Sequence, residues 1–207
     1  MRRAAIFYHH PQCSIQSAHG IIQSLSSSFE IDCINNTQLN NLNRYDLLAL
    51  PGGLGDSDSF YKILHSQKHI IQDFAKTRKV LGICMGAYWC GPLYLNLIDS
   101  NPVQYIKRNN SEIKRSYGTK AKVIWNNSEE IMYFYDGCTF TNTENAEIIA
   151  RYANDDPAAI IEKNVLAIGP HPESDQYWYK GSNVRYWHDR RHHKLLEQAV
   201  ETLFARE

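Results

Sequence analysis

Short apolar runs alternate with amphipathic segments along the first hundred residues of the chain. The runs that predict buried strands cover residues 3–9, 30–35, 45–53 and 79–83. Apolar residues at helical spacing predict helices over residues 14–29, 56–77 and 85–97, the last broken or kinked at Gly91 and Pro92. Asp56 or Ser57 is expected to cap the second helix. This alternation is typical of an α/β fold, a mostly parallel sheet with helices on both faces.

The pattern changes after residue 100, where segments rich in Ile, Val, Tyr and Phe are separated by turn residues. Such segments predict an antiparallel hairpin excursion followed by a return strand, with Asp136-Gly137 as one hairpin turn. A final helix is predicted over residues 188–207. Neither an internal repeat nor a linker interrupts the sequence, so we expect one domain over residues 1–207.

Charge and composition narrow the classes of partner. Twenty-two basic and twenty-two acidic residues give a formal net charge of zero, so neither nucleic acid nor an anionic membrane surface is expected to bind. The N-terminal apolar run is too short for a signal peptide, and none reaches the roughly 20 residues of a membrane helix, which predicts a cytoplasmic protein. Five scattered cysteines without a CxxC pair argue against a disulfide framework.

Cys84 stands in the sequence G-I-C-M-G, between a predicted strand and a predicted helix. Loops at the carboxyl ends of parallel strands collect reactive groups, and a helix N-terminus favours the thiolate form of cysteine. Gly82 and Gly86 leave little bulk around the turn, as in a nucleophile elbow in which sulfur replaces oxygen. The pattern therefore predicts Cys84 as a catalytic nucleophile.

A base, a group that orients it and donors for an oxyanion are also present. His171 follows another strand, and Glu173 is placed to hold its imidazole. The N–H of Gly53 or Leu54, together with that of Met85, is predicted to form the oxyanion hole.

Two further positions and one segment are candidates for substrate contacts. Gly52 lies in the same glycine turn as Gly53, and Tyr88 lies close to the elbow, although helix packing is an alternative role for the tyrosine. Residues 177–189 follow the predicted His-Glu pair directly and are expected to form a pocket wall.

Three motifs, in chain order, carry a family resemblance: "LLALPGGLGDSDSFY", "VLGICMGAYWCG" and "AIGPHPE". Together they resemble the class I glutamine amidotransferase superfamily. More narrowly, they resemble the amidotransferase-like N-terminal domain of eukaryotic biotin-protein ligases, which also occurs as a stand-alone bacterial protein. The resemblance runs from about residue 3 to 175 and implies a flavodoxin-like three-layer sandwich with a triad of Cys84, His171 and Glu173.

The sequence departs from that family in informative ways. Its 207 residues leave no room for a synthetase domain, so any acceptor of ammonia has to be a separate synthetase or ligase chain. An adenylate loop of the G-R-G-R type is absent, so biotin ligation is not expected. Met85 also separates the chain from peptidase relatives in which histidine directly follows the cysteine.

Other histidines and cysteines are possible metal ligands. His9, His10 and Cys13 meet at one strand end, but their spacing matches no common site. His188 and His192 are separated by one helical turn, a spacing that suits a zinc pair, although a solvated helix face is the favoured interpretation. We expect neither a metal nor a cofactor.

Two hypotheses from different classes remain. In the first, the protein is a cysteine-dependent amidase or glutaminase that acts on a small-molecule amide through a thioester. In the second, it is a catalytically silent module that binds a metabolite or a partner chain. The structural alternatives for the site residues belong to this second view: Cys84 as a core residue, His171 as a strand-end residue, and Glu173 as a turn cap. The sequence predicts no oligomeric state.

Overall fold

The computed structural model describes residues 1–9 and 11–206. In this part of the chain the strands are β1 (Arg2–Phe7), β2 (Phe29–Ile34), β3 (Leu47–Leu50), β4 (Lys79–Ile83), β5 (Asn101–Gln104), β6 (Thr119–Trp125), β7 (Ser128–Phe134), β8 (Cys138–Thr141), β9 (Glu147–Tyr152), β10 (Pro157–Glu162) and β11 (Val165–Ile168). The α-helices are α1 (Ile15–Leu25), α2 (Phe60–Ile63), α3 (Lys68–Ala75), α4 (Met85–Cys90) and α5 (Arg191–Ala205).

Nine strands form one sheet, in the order β2-β1-β3-β4-β11-β10-β9-β6-β7. The first five of these run parallel, and the other four continue the sheet in antiparallel fashion. Strands β5 and β8 pair separately. The carboxyl ends of β1, β3, β4 and β11 lie at one edge of the sheet, where the candidate site residues follow them.

Alternate residues of each buried strand face two separate cores. In β1, Ala4 and Ile6 contact the core that contains α1 and α5, whereas Ala5 and Phe7 contact the core that contains α3 and α4. The alternation follows from the two-residue period of a strand. Helices therefore cover both faces, and the predicted α/β, flavodoxin-like three-layer fold is confirmed.

The first three predicted helices are all shorter than expected, and α1 ends at Leu25 rather than at residue 29. The segment 56–77 begins at an Asp56 cap as predicted, but it divides at Leu64, whose φ is −123° and whose side chain is buried in the core. Helix α4 ends at Cys90, because Gly91 adopts an extended conformation before Pro92. A residue before proline is disfavoured in the helical region.

The prediction of a hairpin turn at Asp136-Gly137 is wrong. Strand β7 pairs with β6, and β8 pairs with β5, so these two residues carry the chain from one sheet to the other. The hairpin turn lies instead at Asn126 and Asn127, which both adopt positive φ values, 49° and 63°. Asparagine tolerates this conformation because its short polar side chain hydrogen-bonds locally.

The C-terminal helix starts three residues later than predicted, at Arg191. In the described part of the chain, every helix is too short or too polar to span a lipid bilayer.

Candidate active site

Cys84 occupies the sharp turn between β4 and α4. Its φ is 52° and its ψ is −108°, a conformation that costs a non-glycine residue about 1–3 kcal/mol. A Cβ on Gly82 would lie 2.6 Å from the Gly86 carbonyl oxygen, and one on Gly86 would overlap the Leu50 carbonyl. Both glycines are therefore required by close approach of the backbone. Cys84 is 9% exposed, and its Sγ lies 3.4 Å from the Tyr135 carbonyl oxygen.

His171 and Glu173 follow β11 and are both buried. The imidazole Nδ1 lies 2.8 Å from Glu173 Oε1, and the His171 backbone N–H donates to the Tyr133 carbonyl at 2.8 Å. Burial lowers the pKa of His171, but the charges of Glu173 and Cys84 and the hydrogen bonds to them outweigh burial and raise it to about 10. The environment thus favours the imidazolium form of His171.

Ser17 is a member of this cluster that sequence reasoning missed. Its hydroxyl donates to Glu173 Oε1 at 2.7 Å and accepts from the Gly52 N–H at 2.9 Å. The residue is fully buried on α1. In the sequence it is only a small residue on the buried face of an amphipathic helix, and its partner is 156 positions away.

The glycine turn after β3 distinguishes between the two alternatives for the oxyanion hole. The Leu54 N–H donates to the Gln12 carbonyl at 2.6 Å, so it is not available as an oxyanion donor. In residues 1–9 and 11–206, the N–H groups of Gly53 and Met85 have no backbone acceptor. A Cβ on Gly53 would overlap Met85 Sδ, which places these two residues against each other. The structure therefore leaves Gly53 and Met85 as the candidate pair.

The two predicted substrate contacts lie near the same cluster. A Cβ on Gly52 would be 3.1 Å from His171 Cε1, so only a residue without a side chain leaves this space beside the imidazole. The Tyr88 hydroxyl donates to the Asp136 carbonyl at 3.2 Å. Burial, followed by the nearby thiols of Cys138 and Cys84, raises the Tyr88 pKa well above its usual range.

A cavity of about 230 Å³ adjoins the cluster. The segment predicted as a pocket wall contributes Trp178, Tyr179, Lys180 and Asn183 to its lining. The remaining lining residues lie on or beside β6 and β7: Gly118, Thr119, Tyr133 and Tyr135. These strands belong to the antiparallel excursion, and the sequence pattern did not predict that they lie beside the site.

The candidate metal ligands do not form a metal site in the described residues. His10 lies outside the described residues. His9 is buried between the rings of Phe7 and Trp89, at centroid distances of 5.3 and 4.9 Å, and burial lowers its pKa to about 4.

The prediction of a solvated face for His188 and His192 is wrong. Both are buried, as is His193, because the turn before α5 directs them toward the loop that follows Glu173. The imidazoles of His188 and His193 donate through Nε2 to the Ser174 carbonyl, at 3.1 and 3.0 Å. His192 Nε2 lies 2.8 Å from Glu130 Oε2. Burial lowers the pKa of His188 to about 2 and that of His192 to about 4.

Comparison with known proteins places this geometry in a family. Residues 12–184 match the family model described as "Glutamine amidotransferase class-I". Similar solved structures include a glutamine amidotransferase that is 15% identical, with 97% of each chain covered and a TM-score of 0.70. A glutamine amidotransferase from Thermotoga maritima is 14% identical, with 99% of this chain and 98% of that chain covered and a TM-score of 0.67.

A putative GMP synthase component from Thermoplasma acidophilum is 18% identical, with 100% of this chain and 99% of that chain covered and a TM-score of 0.61. At such identities these structures show a shared fold. The family model covers most of the described residues, from the loop after β1 to the segment that lines the cavity. The chain therefore belongs to the class-I glutamine amidotransferase family.

Proposed function

We propose that this chain is a cysteine-dependent amidase or glutamine amidotransferase-like hydrolase that acts through Cys84, His171 and Glu173. The observation that carries the proposal is the buried 2.8 Å contact between His171 Nδ1 and Glu173 Oε1, beside a cysteine held in a strained elbow. The carboxylate fixes the tautomer and stabilises the imidazolium, which leaves Nε2 for the thiol.

In the acylation step, the Cys84 thiolate attacks the carboxamide carbon and forms a C–S bond. The carbonyl oxygen becomes an oxyanion, which the N–H groups of Gly53 and Met85 stabilise. The imidazolium of His171 gives its proton to the amide nitrogen, and the C–N bond breaks. Ammonia leaves, and a thioester remains on Cys84.

In the deacylation step, His171 accepts a proton from water as the oxygen attacks the thioester carbon. A second oxyanion forms in the same place and collapses with cleavage of the C–S bond. The products are a carboxylic acid and the Cys84 thiolate, beside His171 in its imidazolium form. One amide and one water thus give one acid and one ammonia.

We assign the chain more narrowly to the biotin-protein ligase N-terminal type on its three sequence motifs, and we propose that residues 1–207 form one domain. One similar structure is a putative component of GMP synthase. By analogy, we propose that released ammonia passes to a synthetase or ligase carried by another chain.

One contact favours the second candidate, a catalytically silent binding module. Cys84 Sγ lies 3.4 Å from the Tyr135 carbonyl oxygen, an acceptor to which a thiol S–H can donate. In that case the cluster stabilises the fold, and a metabolite or a partner chain binds without turnover.

The test is the rate of iodoacetamide alkylation at each cysteine against pH, followed by mass spectrometry. We expect Cys84 to react fast well below pH 8 in the wild type and to lose this advantage in His171→Ala. His19→Ala, an exposed histidine on α1, is the matched control and is expected to change nothing. If Cys84 reacts no faster than exposed Cys33, the nucleophile role is contradicted.

A screen of carboxamides, including glutamine, then tests turnover. Cys84→Ala is expected to abolish ammonia release while the circular dichroism spectrum is unchanged. Equal release by that variant would contradict the proposed mechanism. Ligand binding to Cys84→Ala, without wild-type turnover on any amide, would favour the silent module.

A further inference from the structure

The cavity beside the triad has a lining that amide hydrolysis alone does not explain. Four of its eight lining residues are aromatic: Tyr133, Tyr135, Trp178 and Tyr179. Lys180 contributes the one charged side chain of the described lining, and Asn183 contributes an amide. A site that only had to admit a small aliphatic amide would need neither the rings nor the cation.

The cavity shares its walls with the surroundings of the triad. The backbone carbonyl of Tyr135 contacts Cys84 Sγ, and the carbonyl of Tyr133 accepts from the His171 N–H. The rings of Tyr133 and Trp178 lie 5.9 and 5.4 Å from the imidazole of His171, between centroids. The cavity therefore shares wall residues with the surroundings of Cys84 and His171.

The aromatic walls are held in place by one another. The ring of Tyr133 packs edge-to-face on Trp178 and on Tyr179, at centroid distances of 5.1 and 5.6 Å. Trp178 and Tyr179 are 9% and 4% exposed. Flat, fixed walls favour a planar group, because a planar group stacks on them or meets them edge-on without rearrangement.

The charge around the same space is positive. Lys180 makes no salt bridge in residues 1–9 and 11–206, and the part of the lining that the structure describes contains no acidic residue. A ligand carboxylate would supply the negative charge that Lys180 lacks.

The charge of Lys180 also distinguishes between a cationic ligand and an anionic aromatic ligand, both of which could contact the aromatic rings. Aromatic faces bind ammonium groups, but the Lys180 ammonium would repel a cationic ligand in the same cavity. A volume of about 230 Å³ accommodates one ring with a short substituent. It lies below the roughly 300–1,000 Å³ of pockets that enclose drug-sized ligands.

We propose that this cavity binds a planar aromatic or heteroaromatic group that carries a carboxylate. Recognition of the aromatic acid by this cavity does not depend on turnover at Cys84, so it is tested separately from the proposed function.

The experiment measures binding to full-length Cys84→Ala by calorimetry, with four small probes. Benzoate is planar and anionic, cyclohexanecarboxylate is anionic but not planar, benzyl alcohol is planar and neutral, and benzyltrimethylammonium is planar and cationic. We expect benzoate to bind best, cyclohexanecarboxylate about fivefold more weakly, and the cation not at all.

Variants of Lys180 test the source of the charge preference. Lys180→Met is expected to weaken benzoate binding about tenfold and to leave benzyl alcohol unchanged, whereas Lys180→Arg retains most of the affinity. Lys180 is exposed, so these changes leave the core intact. Lys62→Met, at an exposed lysine of α2, is the matched control and is expected to bind benzoate as the parent does.

The inference is overturned if benzoate does not bind, if Lys180→Met binds it as tightly as the parent, or if the cation binds better than the anion. Its failure is distinguishable from failure of the proposed function. Wild-type amide hydrolysis without benzoate binding overturns the cavity inference alone. Benzoate binding that depends on Lys180, without turnover of any amide, supports the cavity inference and contradicts the proposed amidase function.

Discussion

Ser17 and His171 bind the same carboxylate oxygen, Oε1 of Glu173, at 2.7 and 2.8 Å. The Ser17 hydroxyl also accepts the N–H of Gly52, in the turn that carries a candidate oxyanion donor. One serine of α1 therefore connects the group that orients the imidazole with the turn that faces it. We infer that Ser17 is a positioning residue.

Ser17→Ala is expected to lower the alkylation rate of Cys84 at pH 7 by about tenfold, because a hydrogen bond to a charged group contributes about 1.5–3 kcal/mol. Without the Ser17 hydroxyl, Glu173 Oε1 can turn away from His171 Nδ1. The profile of the Cys84 alkylation rate against pH is then expected to shift to higher pH. Ser17→Thr keeps the hydroxyl and is expected to restore the profile. Ser24→Ala removes another buried hydroxyl of the same helix and serves as control. A Ser17→Ala profile that superimposes on the wild type would refute the role.

Gly53→Ala is expected to separate reactivity from turnover. The added Cβ overlaps Met85 Sδ and displaces one of the two candidate oxyanion donors. We expect amide hydrolysis to fall about 100-fold. Alkylation of Cys84 should stay within about twofold, because displacement of iodide creates no oxyanion. Leu54→Ala, at a residue whose N–H is already bonded, should leave both rates near wild type. Equal losses in both reactions of Gly53→Ala would argue for general damage to the turn.

Cys84→Gly is expected to be more stable than Cys84→Ala by about 1 kcal/mol, since glycine adopts a φ of 52° and a ψ of −108° without steric cost. Urea unfolding of the two variants measures the difference. The same pair at Cys138, a buried strand residue, should show the opposite order. A less stable glycine variant at position 84 would mean that the elbow stores no strain.

His9 is expected to make the protein sensitive to acid. Both ring nitrogens are buried without a partner among the described residues, and burial lowers the pKa to about 4. The unfolded chain, with an ordinary pKa near 6.5, binds the proton more readily, so stability falls as pH decreases from about 6.5 toward 4. At pH 5 the loss is about 2 kcal/mol.

His9→Leu removes this titration, so its urea unfolding free energy should change less between pH 8 and pH 5 than that of the wild type. Comparing the two pH values cancels any change in packing. The exposed His19 provides the control substitution, His19→Leu. Identical pH dependence in His9→Leu and the wild type would exclude His9 as the source.

Local patterns in the sequence predict those parts of the site that depend on neighbouring residues. The turn at Cys84 depends on glycines two positions away, and the contact between His171 and Glu173 joins residues two positions apart. Both can therefore be predicted from short sequence patterns. Ser17 could not be found in this way, because its partner comes from a strand end 156 residues later. The choice of Gly53 over Leu54 likewise depends on a bridge to the loop after β1.

The histidines before and within α5 show the same limit. The spacing of these histidines indicates that they lie on one face of a helix, but it does not indicate which part of the fold packs against that face. That surface is the loop after Glu173, and the antiparallel strands that complete the cavity wall are also distant in sequence. Helical periodicity fails at Leu64 for a related reason, since burial in the core outweighs continuation of the helix.

The hydrogen bonds from His188 and His193 to the Ser174 carbonyl have a consequence for biosynthesis. Ser174 adjoins Glu173, so the carboxylate is held in place only after the segment that carries these histidines has left the ribosome. Cys84 and its glycine turn emerge about a hundred residues earlier. Contacts between such distant segments form late in folding. The Cys84 thiol of the nascent chain therefore stays without His171 and Glu173 in their final positions until about residue 193 has been synthesised, and any reactivity that depends on them begins only then.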